Sequence, residues 1–368
     1  MIPSNTAKST DPNFLTILTS LLFMAVMWAP LSATAQDCSS VDDCLAKAEQ
    51  ANVRNDKMEY YEAAIKRARK KEKDKRSLAY LERGIYRYKQ IYGNSEDKDT
   101  RKDFEKSIKY DDQNFDAHSW LVEYIKTKEE DYEGSDEYLT DLFERFPNDS
   151  RVYYYRAMNH WYWGHHDKAI TDFEMAMNLA KSTDTSPAWQ KANMARFQAY
   201  SYLRKNNQHV RDNRTVEILE KGVAMVPNNA DLQGELALAY YDIEAYDKAL
   251  GAAQQAANYG ENHVGRFVLG MQTFSTSHQK YQQDRQNGQV QSSSGNRYFY
   301  NELLHFEEAL RQSVVQHPLI TYYSAYTRWL FVTVDKKGSN WNNWVGPVRD
   351  RFQHTLRYAE GTKYKGLI

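Results

Sequence analysis

Residues 150–181 read SRVYYYRAMNHWYWGHHDKAITDFEMAMNLAK. Two helical patterns meet at a turn around Gly164, His165 and His166. The first sets small Ala157 opposite aromatic Tyr153 and His160. The second carries Ala169, Phe173 and Ala176, an A-x3-F-x2-A stripe that falls on one face of a helix. Small side chains at Ala157 and Ala176 let two helices approach closely, and Phe173 fills the space beside them. One such hairpin cannot bury its apolar face alone, so further copies are expected along the chain.

They are present. With Ala176 as marker, the equivalent positions are Ser107, Leu142, Gly222, Ala256 and Ser313, giving successive steps of 35, 34, 46, 34 and 57 residues. Three residues before each marker stand Phe104, Leu139, Phe173, Leu219, Ala253 and Leu310, all apolar. Five residues after three of the markers stand Pro147, Pro227 and Pro318. A proline there stops the second helix and restricts the residue before it. Lys181, Glu261 and Asp112 replace it elsewhere, and Phe306 stands where a small residue is expected. The sixth copy repeats the pattern closely, with Leu236, Ala237 and Tyr240 and then Ala249, Ala253 and Ala256.

These stripes, steps and prolines resemble the tetratricopeptide (TPR) repeat, a helix–turn–helix unit of about 34 residues. The resemblance covers residues 77–318 well and the two ends loosely. It implies an all-α, right-handed superhelical solenoid of about eight hairpins with divergent terminal pairs. It also implies a concave groove lined by the first helix of each hairpin, used to bind a protein or peptide without a cofactor. Sparse glycine and proline and the absence of strand-like alternation agree with an all-helical reading. A stack in which each repeat contacts its neighbours needs no single central core, so 368 residues pose no difficulty.

Four segments follow: a leader at 1–35, an N-terminal capping hairpin at 36–76, the repeats at 77–318, and C-terminal capping helices at 319–368. Residues 15–31 form an apolar run, and Ala33-Thr34-Ala35 offers the small-x-small site of a signal peptidase. The alternative is a retained anchor, which the short run and Pro30 disfavour. Cleavage after Ala35 leaves no stable membrane span. Asp37 before Cys38 speaks against a lipid-modified cysteine.

Cys38 and Cys44 are the only two cysteines, and in an exporting compartment they are expected to pair. Inside one continuous helix they would sit ~9 Å apart along the axis, so Cys38 must precede the helix. Ser40, with Asp43 three residues on, supplies the start. A redox-active pair is the sharper alternative, although the spacing is not C-x-x-C.

Residues 66–76 (KRARKKEKDKR) hold eight basic residues in eleven. They read as a solvated helix end rather than a polyanion site, since Glu72 and Asp74 interrupt them and no aromatic is interleaved. Between the helices expected at 262–281 and 298–316, residues 282–297 are polar and Gly/Ser/Gln-rich and read as a flexible surface loop. The net charge of −1, unchanged without the leader, gives no general attraction for nucleic acid.

No motif for nucleotide binding, zinc hydrolysis or a serine nucleophile is present. His160, His165, His166 and Asp167 are the densest ligand-like cluster, but His160 and His165 straddle a helix end and do not converge on a metal. No catalytic residue and no metal or other cofactor is therefore assigned. The expected function is that of an exported scaffold, periplasmic or extracellular, mediating protein–protein or protein–peptide contact. The alternative is a glycan- or cell-wall-binding protein that stacks sugars on Tyr154, Trp161 and Trp163. By register the resemblance places Arg151, Tyr154, Met158, Trp161 and Tyr162 of the fourth hairpin on the groove. In the fifth it places Asn193, Arg196, Tyr200 and Arg204 there. Aromatics with arginine are enriched at binding hot spots, and the arginines favour an acidic or carboxylate feature in a ligand. The competing expectation is that these aromatics pack between repeats.

Overall fold

The computed structural model describes residues 38–90, 97–182, 186–290, 298–331 and 341–366. The leader and the 291–297 part of the expected loop lie outside them. Sixteen helices are described: α1 (Val41–Gln50), α2 (Arg54–Arg67), α3 (Lys73–Gln90), α4 (Lys98–Tyr110), α5 (Phe115–Lys128), α6 (Tyr132–Arg145), α7 (Ser150–Trp163), α8 (His166–Ser182), α9 (Ala188–Lys205), α10 (Asn213–Met225), α11 (Ala230–Asp242), α12 (Tyr246–Tyr259), α13 (His263–Gln286), α14 (Tyr300–Gln312), α15 (Pro318–Leu330) and α16 (Trp341–Ala359). Consecutive helices pack as hairpins in α1–α2, α3–α4, α7–α8, α9–α10, α11–α12, α13–α14 and α15–α16. The fold is of the all-α helical-repeat solenoid class. It divides into two compact units, with the boundary inside α5 after Tyr124.

In the first unit Cys38 is bonded to Cys44. The Ser40 hydroxyl caps α1 by accepting from the Asp43 N–H, and the Asp43 carboxylate reaches back to the Ser39 N–H at 2.6 Å. Both cysteines are buried with Val41, Ala48, Tyr60, Tyr61 and Ala64. Replacing both by serine is expected to destabilise this unit by ~2 kcal/mol in the chain-entropy account. Denaturation with and without reductant, alongside intact mass, checks it; two free thiols in the untreated protein would refute the bond. The basic run spans the end of α2, a short junction and the start of α3. α2 stops at Arg67 and α3 starts at Lys73, with Arg69 held by Glu72 and Lys75 by Asp42.

The marker positions behave as a packed stripe requires. Ala157, Ala169, Phe173 and Ala176 are fully buried, as are Phe104 and Ser107, while Leu139 and Leu142 are nearly so. A second, unanticipated signature runs beside the stripe. Arg83 grips Asp103 through two hydrogen bonds of 2.9 and 2.6 Å, and Arg156 grips Asp172 through two of 2.9 and 2.7 Å. Each arginine precedes the small residue (Gly84, Ala157) and each aspartate precedes the phenylalanine (Phe104, Phe173). The pair clamps the two helices of a hairpin by bidentate, charge-assisted hydrogen bonds.

The turns have a common build. Gly164 takes φ 84°, and the His165 N–H donates to the His160 carbonyl at 2.8 Å. This is a left-handed helix terminus, for which glycine carries no Cβ penalty. Glu130, Asn207, Glu244 and Gly288 also adopt positive φ in the turns before and after it.

The seventh hairpin departs from the expected register. Ser313 lies just past α14 as its cap, not inside it. The buried small residue is Ala309, with fully buried Phe306 three residues before it, so Phe306 is the counterpart of Phe173. Gly270 explains why a phenylalanine fits: a Cβ there would lie 2.7 Å from the Phe306 ring. Pro147 and Pro227 do lie in turns just past α6 and α10. Pro318 instead opens α15, where its missing N–H costs nothing. The expected loop at 282–297 also begins late. α13 continues to Gln286, and Asp284 accepts a hydrogen bond from the Tyr298 hydroxyl at 2.7 Å. At the other end, α16 runs from Trp341 to Ala359.

Candidate inner-face binding site

In the fourth, sixth, seventh and eighth hairpins the first helix carries its small residue eight positions after the N-cap. Asp149 precedes Ala157, Asn229 precedes Ala237, Asn262 precedes Gly270 and His317 precedes Ala325. By the register of the resemblance, the positions expected on the inner face are those three before it and one and four after it.

At the fourth hairpin these positions are largely taken up by packing. Tyr154 and Met158 are buried, and Tyr154 meets the rings of Phe173 and Trp189 at 6.2 Å. Trp161 is half-buried against Phe197, Tyr200 and His166. Arg151 holds the capping carboxylate of Asp149. Tyr162 is 54 % exposed, with the Lys126 ammonium 4.7 Å from its ring centroid. Trp163 lies against His165, with ring centroids 4.2 Å apart. His160 is buried between Asp136 and Asp172, and burial pushes its pKa down. Among the described residues, no group of three or more His, Cys, Asp or Glu side chains is arranged to hold a metal ion.

The C-terminal part of α9 in the fifth hairpin is covered by the chain itself. Val315 is almost fully buried against Tyr200 and Leu203, with Trp161 and Phe197 alongside. Arg204 donates to the Val314 carbonyl at 3.3 Å, and a ring nitrogen of His209 lies 3.1 Å from the Gln316 carbonyl. Tyr200 is buried, and its hydroxyl donates to Glu235 at 2.8 Å. Arg196 pairs with Asp231 at 3.1 Å and reaches Asn193 at 3.4 Å.

Beneath the 313–317 segment lies a buried polar network. The Arg211 guanidinium donates to Glu235 at 2.6 Å, and its backbone N–H donates to Asp242 at 2.9 Å. His317 Nε2 meets both Asp242 oxygens at 2.9 and 3.0 Å, and the Tyr364 hydroxyl donates to Asp242 at 2.9 Å. Burial opposes ionisation of Asp242, but His317 and Arg211 outweigh it and hold its pKa below the ordinary carboxylate value. Glu235 is held low in the same sense, burial being outweighed by Arg211 and Arg196. Sequence reading saw none of this, because His317 and Tyr364 are 75 and 122 residues from Asp242.

The eighth hairpin presents what the fourth and fifth do not. Tyr322, Tyr326 and Trp329 of α15 occupy the positions of Tyr154, Met158 and Trp161. Their rings form a near-parallel row, Tyr322 to Tyr326 at 5.7 Å and 19°, and Tyr326 to Trp329 at 5.9 Å and 12°. Phe274 and His278 of α13 back the row, and the Tyr326 hydroxyl lies 3.2 Å from His278 Nε2. Tyr322 and Tyr326 are half-buried and Trp329 is 42 % exposed. Burial raises the pKa of both tyrosines, so they remain neutral phenols at physiological pH. The row offers flat apolar faces edged by hydroxyls, the chemistry of binding rather than of bond making.

No family model and no curated protein matches the sequence. Among solved structures the chain is similar to yeast Tom70, with 13% identity, 97% of this chain and 72% of that one covered, and a TM-score of 0.47. It is also similar to a tetratricopeptide repeat protein from Parabacteroides merdae, with 11% identity, coverage of 78% and 98%, and a TM-score of 0.44. A third is MamA from Desulfovibrio magneticus, with 19% identity, coverage of 53% and 94%, and a TM-score of 0.34.

Proposed function

We propose that this protein is an exported scaffold that binds an extended segment of a partner protein along the aromatic row of α15. The observation that carries the reading is the position of Tyr322, Tyr326 and Trp329. They stand at inner-face sites by register and are partly open, whereas the corresponding sites of the fourth and fifth hairpins are packed or covered. Tyrosine and tryptophan supply large contact area with little entropy to lose, which is why they dominate binding hot spots. Export is supported by the leader pattern and by the bond between Cys38 and Cys44, which persists in oxidising compartments. Among the described residues no helix is long and apolar enough to cross a membrane.

The near-parallel rings also favour the glycan reading, since sugar faces stack on such a row. One experiment separates the two. A photo-crosslinking residue is placed at position 329, and as a control at Tyr259, which is exposed on α12. The protein is expressed in its own envelope and then irradiated. A discrete protein adduct from position 329, absent from 259 and lost in Tyr326→Ala, is the expected result. Retention on cell-wall glycan that Trp329→Ala abolishes would transfer the site to carbohydrate. If neither occurs, the row is not the binding surface.

A further inference from the structure

A cavity between the sixth and seventh hairpins takes no part in the aromatic row or the buried network. Its volume is about 400 Å³, and Ala257 of α12 with Leu269 and Gly270 of α13 gives it an apolar wall. That size lies within the range of small-molecule sites. Its polar side is formed by Arg266 of α13 with Glu302 and His305 of α14.

The two opposite charges in this cavity do not pair with each other. Arg266 has Glu261 as its ion partner, at 3.4 Å, and that carboxylate is 69 % exposed. The guanidinium therefore keeps donors for a second acceptor. Glu302 is buried, accepts a hydrogen bond from the Ser277 hydroxyl at 2.8 Å, and makes no ion pair among the described residues. A buried carboxylate is costly unless a cation meets it. Beside them, His305 Nδ1 is buried with no hydrogen-bond partner. Burial first, and then the Arg266 charge, hold the His305 pKa below its ordinary value, so the ring is neutral at pH 7.

We propose that this cavity binds a small zwitterion of amino-acid or short-peptide size, its carboxylate on Arg266 and its ammonium on Glu302. A ligand bearing one charge satisfies only one side and leaves the other uncompensated. A zwitterion satisfies both, and the apolar wall accommodates a short aliphatic portion.

The test uses the mature chain, titrated calorimetrically at pH 7 with the twenty free L-amino acids and with a set of glycine-containing dipeptides. The two arms distinguish a free amino acid from a peptide. At least one compound is expected to bind with a Kd below about 1 mM. Arg266→Gln and Glu302→Gln should each weaken it roughly tenfold or more, as should N-acetylation or methyl esterification of that compound, because each removes one of two charge-assisted contacts. Circular dichroism confirms that the variants are folded; Glu302→Gln retains an acceptor for Ser277. Absence of binding across both sets overturns the proposal. So does binding that is unchanged in Arg266→Gln or by N-acetylation.

Discussion

Replacing Phe173 by alanine is expected to destabilise the second unit by about 3–5 kcal/mol, the range for truncating a buried phenylalanine. The ring is fully buried, with Tyr154 of α7 at 6.2 Å and Phe197 of α9 at 6.3 Å. Its loss leaves a void among three helices whose backbones are held close by Ala157, Ala176 and Ala195, all fully buried. The small residues cannot move in to fill that void. The same substitution tests the corrected register of the seventh hairpin. Phe306→Ala should cost nearly as much, because its ring packs edge-on to Phe267 at 4.9 Å and lies over Gly270. Leu310→Ala should cost much less, since Leu310 is only half-buried. Chemical denaturation of the three variants decides the matter. Equal losses at Leu310 and Phe306 would restore the marker at Ser313.

Asp242→Ala is expected to cost a similar ~3–5 kcal/mol, by a different mechanism. The side chain is fully buried, and its removal strips His317, Tyr364 and the Arg211 backbone N–H of a common acceptor. Breaking a buried ion pair from one side is far more damaging than never having built it. Asp242→Asn keeps the shape and part of the hydrogen bonding but not the charge, so it should fall between. The effect has a direction in pH. A carboxylate whose pKa is lowered on folding contributes stability above its unfolded pKa of about 3.9, and that contribution is lost as pH falls through the folded value. The wild type should therefore lose stability in acid more steeply than Asp242→Asn. Hydrogen exchange adds a local readout: residues 313–317 and 362–364 should open together in Asp242→Ala. If those segments stay as protected as in the wild type, the network does not hold them.

What the chain spells out locally is what could be read from it. The A-x3-F-x2-A stripe, the serine that caps α1 and the glycine that ends α7 each act within one or two helical turns. A period of 3.6 residues and a missing Cβ are legible without knowing the rest of the molecule. Hairpin spacing follows because a repeat that buries its face on its neighbours must recur in phase. The disulfide belonged to the same class, since two cysteines six residues apart have no other partner. The clamps Arg83–Asp103 and Arg156–Asp172 were not read from the sequence, although each aspartate stands beside a phenylalanine of the stripe.

Whether the expected groove side chains are open or covered was not local, and only the tertiary structure decided it. Tyr154, Tyr200, Arg196 and Arg204 have the composition of a hot spot, but composition does not say whether a side chain meets solvent or another part of its own chain. Val314 and Val315 arrive from 110 residues beyond Arg204 to cover that face, and Asp242 ties His317 and Tyr364 beneath it. Neither valine, histidine nor tyrosine carries any sign of its destination, because the pairing is set by how the later hairpins return toward the earlier ones. The register at Ser313 failed for a related reason. A proline satisfies both a turn and the first position of a helix, and only the packing of Phe306 over Gly270 distinguishes the two.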